Sequence, residues 1–307
     1  MTVRLSVVVV AFDMQRELPR TLFSLAPSQQ RGINHSDYEI IVVDNGSAPP
    51  LQIEADDNLI AIRVDDASPS PSSAVNLGIA AARGDTIGVL VDGARLASPG
   101  MLAGALLGAR IHDRPVISTL GFHLGPDVQI RSIRNGYDQE NEDRMLARSD
   151  WTADPYRLFG ISTLAGSSSR GWFLPMAESN ALFMPRHMWE ELGGYSEAFV
   201  SPGGGLVNLD TYRRACALQN SQLVVLLGEG TFHQVHGGVA TNAPVSRWDT
   251  FHAEYIRVRG VEFEPPDPDV LYLGRVNEHS LHWIEVSAQK GLAESASKLT
   301  PSPRSHP

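Results

Sequence analysis

The sequence predicts an α/β fold: a mostly parallel sheet flanked by helices, with a smaller region packed beside it. Three observations predict it. The runs Leu5-Ser6-Val7-Val8-Val9-Val10 and Tyr38-Glu39-Ile40-Ile41-Val42-Val43 are β-branched and nearly continuous in apolar character, as strands buried on both faces must be. Between them Leu18, Leu22 and Leu25 recur at helical spacing, so the unit reads strand-helix-strand and its strands run parallel. Each run then closes in polar loop residues, Ala11-Phe12-Asp13 after the first and Asp44-Asn45-Gly46-Ser47 after the second. Parallel sheets of this kind bind ligands beyond the carboxyl ends of their strands, where Asp13 and Asp44 fall.

The remaining elements follow in order. Strands are expected near 4–10, 39–44, 59–64 and 86–91. A helix is expected from Ser73 to Arg83, stopped by Gly84-Asp85. Ser98-Pro99 opens a helix to about Arg110, since proline suits a first turn, and Val116 to Leu120 is a short strand. Phe122 to Ile133 reads as a hairpin or strand pair, and Asp138 to Arg148 as a charged surface helix. The stretch Ser162 to Trp172 is rich in Ser and Gly: a mobile loop over a site, or a plain connector. Glu178 to Met184 restores regular structure, Pro185 opens a helix over 186–192, and Gly193-Gly194 closes it. Ser201-Pro202-Gly203-Gly204-Gly205 leads to a helix starting at Asn208-Leu209-Asp210, and Gln222 to Leu227 is a strand. The last stretch, rich in Ser, Lys and Pro, is expected to be disordered. The resulting division is a ligand-binding half at 1–120, a second half at 121–260 with a loop at 162–172, an extension at 261–290 and a tail at 291–307.

Composition narrows the function. At 307 residues the chain can bury a substantial core, and its net charge of −10 argues against a broad nucleic-acid surface, which needs basic stripes. The longest apolar runs fall far short of the roughly 20 residues of a membrane span, and the N-terminus lacks a signal-peptide layout, so a cytoplasmic protein is the expectation. Cys216, the single cysteine, excludes an internal disulfide and reads as a core residue. The loops after the strands carry neither a dinucleotide glycine fingerprint nor the Lys-Ser/Thr of a P-loop. Acidic loops suit a ligand that offers hydroxyl and N–H donors, such as a ribose or a base.

The order of motifs resembles a family 2 glycosyltransferase of GT-A fold. The resemblance rests on the opening strand with Ala11-Phe12-Asp13, on Val43-Asp44-Asn45-Gly46-Ser47, and on Asn76-Leu77-Gly78 followed by Ala82-Arg83-Gly84-Asp85. It continues through Leu90-Val91-Asp92, Asn180 to Arg186, and Leu192-Gly193-Gly194-Tyr195 to Phe199, covering about residues 4 to 238. It implies inverting transfer of a sugar from a nucleoside diphosphate donor (UDP-, GDP- or dTDP-linked) to a hydroxyl of a glycan or small-molecule acceptor. It further implies a nucleotide site at Ala11, Phe12, Asp13, Asp44, Asn45, Asn76, Asp92 and Gly93.

Two departures from the family pattern shape the expected site. The family's second metal-binding Asp is replaced in Asp92-Gly93-Ala94-Arg95, so a Mn²⁺ or Mg²⁺ ion would rest on Asp92 and a late histidine, His236 in preference to His233. Alternatively Arg95, with His233, meets the diphosphate as a fixed cation without metal. Inversion needs a carboxylate base. Asp210 is the first candidate and otherwise a first-turn acid favoured by the helix dipole; Glu178 is the second. Trp172 is expected in the lid, stacking on a sugar, and Trp189 in the core. The alternative function is a degraded transferase that binds a nucleotide sugar or a partner without turnover. Residues 240–290, including Arg257-Val258-Arg259-Gly260 and the region of Tyr272, shape either the acceptor pocket or a homo-oligomer contact.

Overall fold

The two β-branched runs form neighbouring parallel strands. In the computed structural model, which describes residues 3–238 and 247–299, β1 (Leu5–Ala11) pairs along its whole length with β2 (Tyr38–Asp44), Ala11 opposite Asp44. The helix α1 (Leu18–Leu25) lies between them in sequence. β3 (Leu59–Arg63) extends the sheet beyond β2, and α2 (Ser72–Ala81) returns the chain to β4 (Thr86–Leu90), parallel to β1 on its other side. Alternate side chains enter two cores. Val8, Val10, Ile41, Val43 and Val89 face α2, whereas Val7, Val9, Ile40, Val42 and Leu90 face α1 and α3 (Met101–Gly108). Full burial of each aliphatic side chain is worth about 1.5–3 kcal/mol, more than a surface ion pair at about 0–1 kcal/mol. The apolar pattern therefore decides the sheet. Gly78 shows how tightly α2 packs: a Cβ there would lie 2.3 Å from a Val8 methyl.

The second half continues the same sheet. β6 (Pro115–Leu124) pairs in parallel with β9 (Gln222–His233), and β10 (Val270–Gly274) pairs in parallel with β9 at the edge. β8 (Ala181–Pro185) runs antiparallel between β4 and β6 and joins the halves. Two short strands complete the set: β5 (Arg95–Ala97) against β9 and β7 (Ser162–Leu164) against β6. The main order is β10-β9-β6-β8-β4-β1-β2-β3. Helices α4 (Gln129–Arg134), α5 (Gln139–Ser149), α6 (Arg186–Leu192), α7 (Val207–Cys216), α8 (Trp248–Arg259) and α9 (Leu281–Leu299) fill the connections.

Several sequence expectations are corrected here. The hairpin expected over 122–133 is the end of β6 followed by α4, because Phe122 to Leu124 pair with β9 and β7 instead of folding back. The strand expected over 222–227 runs on to His233. Residues 291–299, expected to be disordered, continue α9, and residues 300–307 lie outside the described residues. Trp172 is no lid residue: it is 1% exposed, packs against Phe122, and its indole N–H donates to Leu226 O at 3.1 Å. An apolar ring with a single N–H, once that N–H has a carbonyl, loses nothing by full burial. Trp189 is in the core as expected, and burial pushes the Cys216 thiol up to about 12, which leaves it unreactive.

Candidate active site

Three parallel strands, β1, β2 and β4, end on one side of the sheet, and their loops form its rim. The β1 and β2 loops brace each other. Asp13 N–H donates to Ser47 Oγ, Ala48 N–H donates to Asp13 Oδ1, and Asn45 N–H donates to Ala11 O. Asp13 adopts φ 51°, a left-handed conformation that Asp tolerates better than most residues, and Phe12 beside it is 54% exposed. Asp44 points inward. Its Oδ1 accepts from Ser47 N–H and its Oδ2 from Leu51 N–H and from Arg63 at 2.6 Å. Burial alone would raise this carboxyl, but the hydrogen bonds from Ser47 and Leu51 and the Arg63 guanidinium hold it below its usual range. Asp44 thus builds the loop and does not present a bare carboxylate. Asn45 Nδ2 donates to Ser68 O, while its buried Oδ1 meets no partner among the described residues.

Asn76, expected at the nucleotide, is engaged elsewhere. Its amide donates to Tyr195 O and Glu197 and accepts from Tyr195 N–H, tying α2 to the turn after α6. Both of its amide hydrogens and its oxygen serve this joint. Arg83 reaches the wholly buried Glu39 at 2.5 Å.

Asp92 follows β4 at the centre of the rim. Ala94 N–H donates to its Oδ1, and Arg95 Nε donates to its Oδ2 at 2.9 Å. Gly93 is required between them, since a Cβ there would lie 2.8 Å from that of Ala11. Register places Arg95 of β5 opposite His233 of β9, which brings a residue far away in sequence to the rim. His233 Nε2 lies 3.6 Å from Asp92 Oδ2 and 3.1 Å from His236 Nε2. One ligand atom each from Asp92, His233 and His236 falls within a 4.8 Å cluster. Burial, helped by the nearby Arg95 charge, keeps His233 neutral well below its ordinary range, and burial lowers His236 as well. Neutral imidazoles beside a carboxylate are the form in which a divalent ion is bound. Sequence reasoning placed Asp92 and His236 here and assigned His233 to the diphosphate; all three lie together.

The two base candidates separate. Asp210, on α7, is 1% exposed; Arg259 grips both of its oxygens at 2.6 Å, and Arg214 donates to it at 2.8 Å. A buried carboxylate shared by two guanidiniums serves as a structural anchor of the fold. Glu178 is half-buried, two residues before Asn180, whose carbonyl accepts from Val91 N–H next to Asp92. Its Oε2 accepts from Asn208 Nδ2 at 2.5 Å, and Tyr195 Oη donates to Asn208 Oδ1. Glu178 therefore sits at the rim with one oxygen oriented by an amide.

Residues absent from the sequence reading support the site. Gln129 holds His233, and Arg16 donates to Val235 O while Glu142 accepts from Val235 N–H. None lies in a motif. Gln129 opens α4, within the stretch read as a hairpin.

Residues 6–96 match the family model Glycosyl transferase family 2. That match covers about the N-terminal third of the chain, within a fold of GT-A type. Among solved structures, the S. aureus TarS fragment 1-349 in complex with UDP-GlcNAc is similar at a TM-score of 0.50 and 13% identity, covering 83% of this chain and 65% of that one. The same fragment alone gives 0.49 at 14% identity, covering 75% and 60%, and with UDP 0.46 at 14%, covering 76% and 61%. This chain thus spans 60% to 65% of the length of those fragments. No curated protein sequence matches it significantly. Among the described residues, no helix is long and apolar enough to cross a membrane.

Proposed function

We propose that the protein transfers a sugar, with inversion, from a nucleoside diphosphate donor to an acceptor hydroxyl. The observation that carries this reading is the Asp92, His233 and His236 cluster at the carboxyl edge of a family 2 domain, with Glu178 on the same rim. Phe12, 54% exposed beside Asp13, would offer its ring to the base, and Asp13, Asn45 and Gly93 would meet the nucleotide at the strand ends. Uridine diphosphate sugars are the first donors to test, since the similar TarS fragment was solved with UDP-GlcNAc.

The donor set fits a divalent ion, with two imidazoles beside one carboxylate. Such a set favours Mn²⁺ over Mg²⁺, which takes oxygen ligands almost exclusively. A bound ion would supply charge neutralisation to the leaving diphosphate. The chain's own residues do the rest. Glu178, oriented by Asn208, takes the acceptor proton as the acceptor oxygen attacks the anomeric carbon. The bond from that carbon to the phosphate oxygen breaks, and the nucleoside diphosphate leaves with the electron pair. The family's second acid being absent, Arg95 places a guanidinium beside Asp92 and adds fixed positive charge where the diphosphate develops it. That ion pair also favours a second reading, in which Arg95 and the histidines bind the diphosphate without metal.

A thermal-shift screen of UDP, GDP, dTDP and CDP with Mn²⁺, with Mg²⁺ and with EDTA tests both. Ligand bound to the folded state raises the melting temperature by mass action. A shift with UDP and Mn²⁺ that EDTA abolishes is expected. A shift that survives EDTA selects the guanidinium reading, and no shift with any nucleotide overturns the transferase reading.

A further inference from the structure

Gln129 is wholly buried, yet it spends both ends of its amide on one residue. Its Nε2 donates to His233 O at 2.9 Å, and its Oε1 lies 2.7 Å from His233 Nδ1. The amide has one workable orientation, because reversing it would set Oε1 against the carbonyl oxygen of His233. An amide oxygen only accepts, so His233 Nδ1 carries the hydrogen and Nε2 keeps its lone pair. That lone pair faces Asp92 Oδ2 at 3.6 Å and His236 Nε2 at 3.1 Å. Two electron-rich atoms, a bare nitrogen and a carboxylate oxygen, are thereby held toward one point, which favours a cation there. The backbone N–H of the same Gln129 donates to His123 Nδ1 at 2.9 Å, so buried His123 takes the opposite tautomer, with its hydrogen on Nε2. One glutamine sets both rings in opposite senses.

We propose that Gln129 is the positioning residue of the Asp92, His233 and His236 site, holding His233 as an Nε2 ligand. The proposal rests on the metal reading given above. A ligating histidine commonly donates its other N–H to an oxygen that fixes its tautomer, and loss of such a partner costs roughly 10–100-fold in metal affinity. Without metal, the His233 to His236 contact then requires His236 to donate from Nε2.

Two measurements on the full chain test it. Long-range ¹H–¹⁵N correlation of histidine-labelled protein without metal should show His233 protonated at Nδ1 and bare at Nε2. A proton on His233 Nε2 would overturn the proposal. Electron paramagnetic resonance of free Mn²⁺ then compares the wild type with Gln129→Met and Gln129→Glu. The Met variant should lose roughly 10–100-fold in Mn²⁺ affinity and mix its His233 tautomers. The Glu variant, which in this buried site can keep a proton to offer His233 O, should keep the tautomer and bind more tightly than the Met variant. A folded Met variant with unchanged affinity and tautomer sinks the proposal; if that variant does not fold, the wild-type tautomer and the Glu variant still decide. The expected tautomer with no Mn²⁺ binding by the wild type overturns the metal reading and, with it, this role for Gln129.

Discussion

In a linear reading Asp210 and Glu178 are both acids near the start of a helix or strand; in space one is a buried anchor and the other a rim carboxylate. Their variants should diverge accordingly. Glu178→Gln is expected to lower kcat by about 10²–10⁴, the usual worth of a general base, with UDP and Mn²⁺ binding unchanged. Asp210→Asn should cost about 3–5 kcal/mol in urea unfolding, because two guanidiniums lose their partner inside the fold. If Asp210→Asn stayed stable and lost turnover while Glu178→Gln did not, the assignment of the base would be wrong. Glu142 gives a pH test at the same scale. Burial pushes its carboxyl up to about 7, against the pull of Val235 N–H and Arg16, from 4.5 in the unfolded chain. The folded form holds this proton more tightly, so its contribution is complete below about 4.5 and is lost as pH rises through about 7. The difference is about 3 kcal/mol. Glu142→Gln should therefore be stabilised relative to the wild type at pH 8 compared with pH 5, by urea unfolding; an equal gap at both pH values would refute the shift.

At the scale of elements, the segment 162–172 carries the clearest divergence between composition and packing. Its Ser and Gly content reads as a mobile loop, but β7 pairs Leu164 with Phe122, and Trp172 completes an aromatic cluster with Phe122 and Phe159. Trp172→Ala is expected to cost about 3–5 kcal/mol through the cavity it leaves. A lid residue would instead leave stability unchanged and raise the KM for donor or acceptor, so unfolding and kinetics on one variant separate the roles. The pieces of the site come from different kinds of element. Asp92 ends a buried parallel strand, His233 ends a long strand whose last residues pair with β5, and Gln129 opens a helix of only six residues. The motifs around Asp92 were legible because strand-loop punctuation is local. The orientation of His233 was not, because its partner lies 104 positions away in the chain.

Over the whole molecule, the N-terminal and C-terminal parts of the chain share one sheet. β8 comes from the second half and is inserted antiparallel between β4 and β6, with the Phe183 ring over Gly88 so closely that a Cβ there would lie 2.2 Å from it. A fragment of residues 1–120 would expose that face of β4 and leave β6 without β8 and β9. It should show no cooperative unfolding transition by circular dichroism. A cooperative melt with nucleotide binding by the fragment would mean that the N-terminal half is an independent domain.

The sequence alone determined the parallel strand-helix-strand half, a resemblance to family 2 glycosyltransferases, and the carboxylate and histidines that meet at the rim. Those features depend on local periodicity and on residue types that do one kind of chemistry. Helix α2 against β1, Trp189 in the core and the helix over 186–192 were legible for the same reason. Only the tertiary structure decided which acid is sequestered by Arg259 and Arg214, that Asn76 is a joint and Trp172 a core ring, and that Gln129 sets the tautomer of His233. A polar side chain's role is fixed by which partner reaches it first across the fold. That partner, brought in by strand register and helix packing over long sequence separations, leaves no periodic trace in the chain.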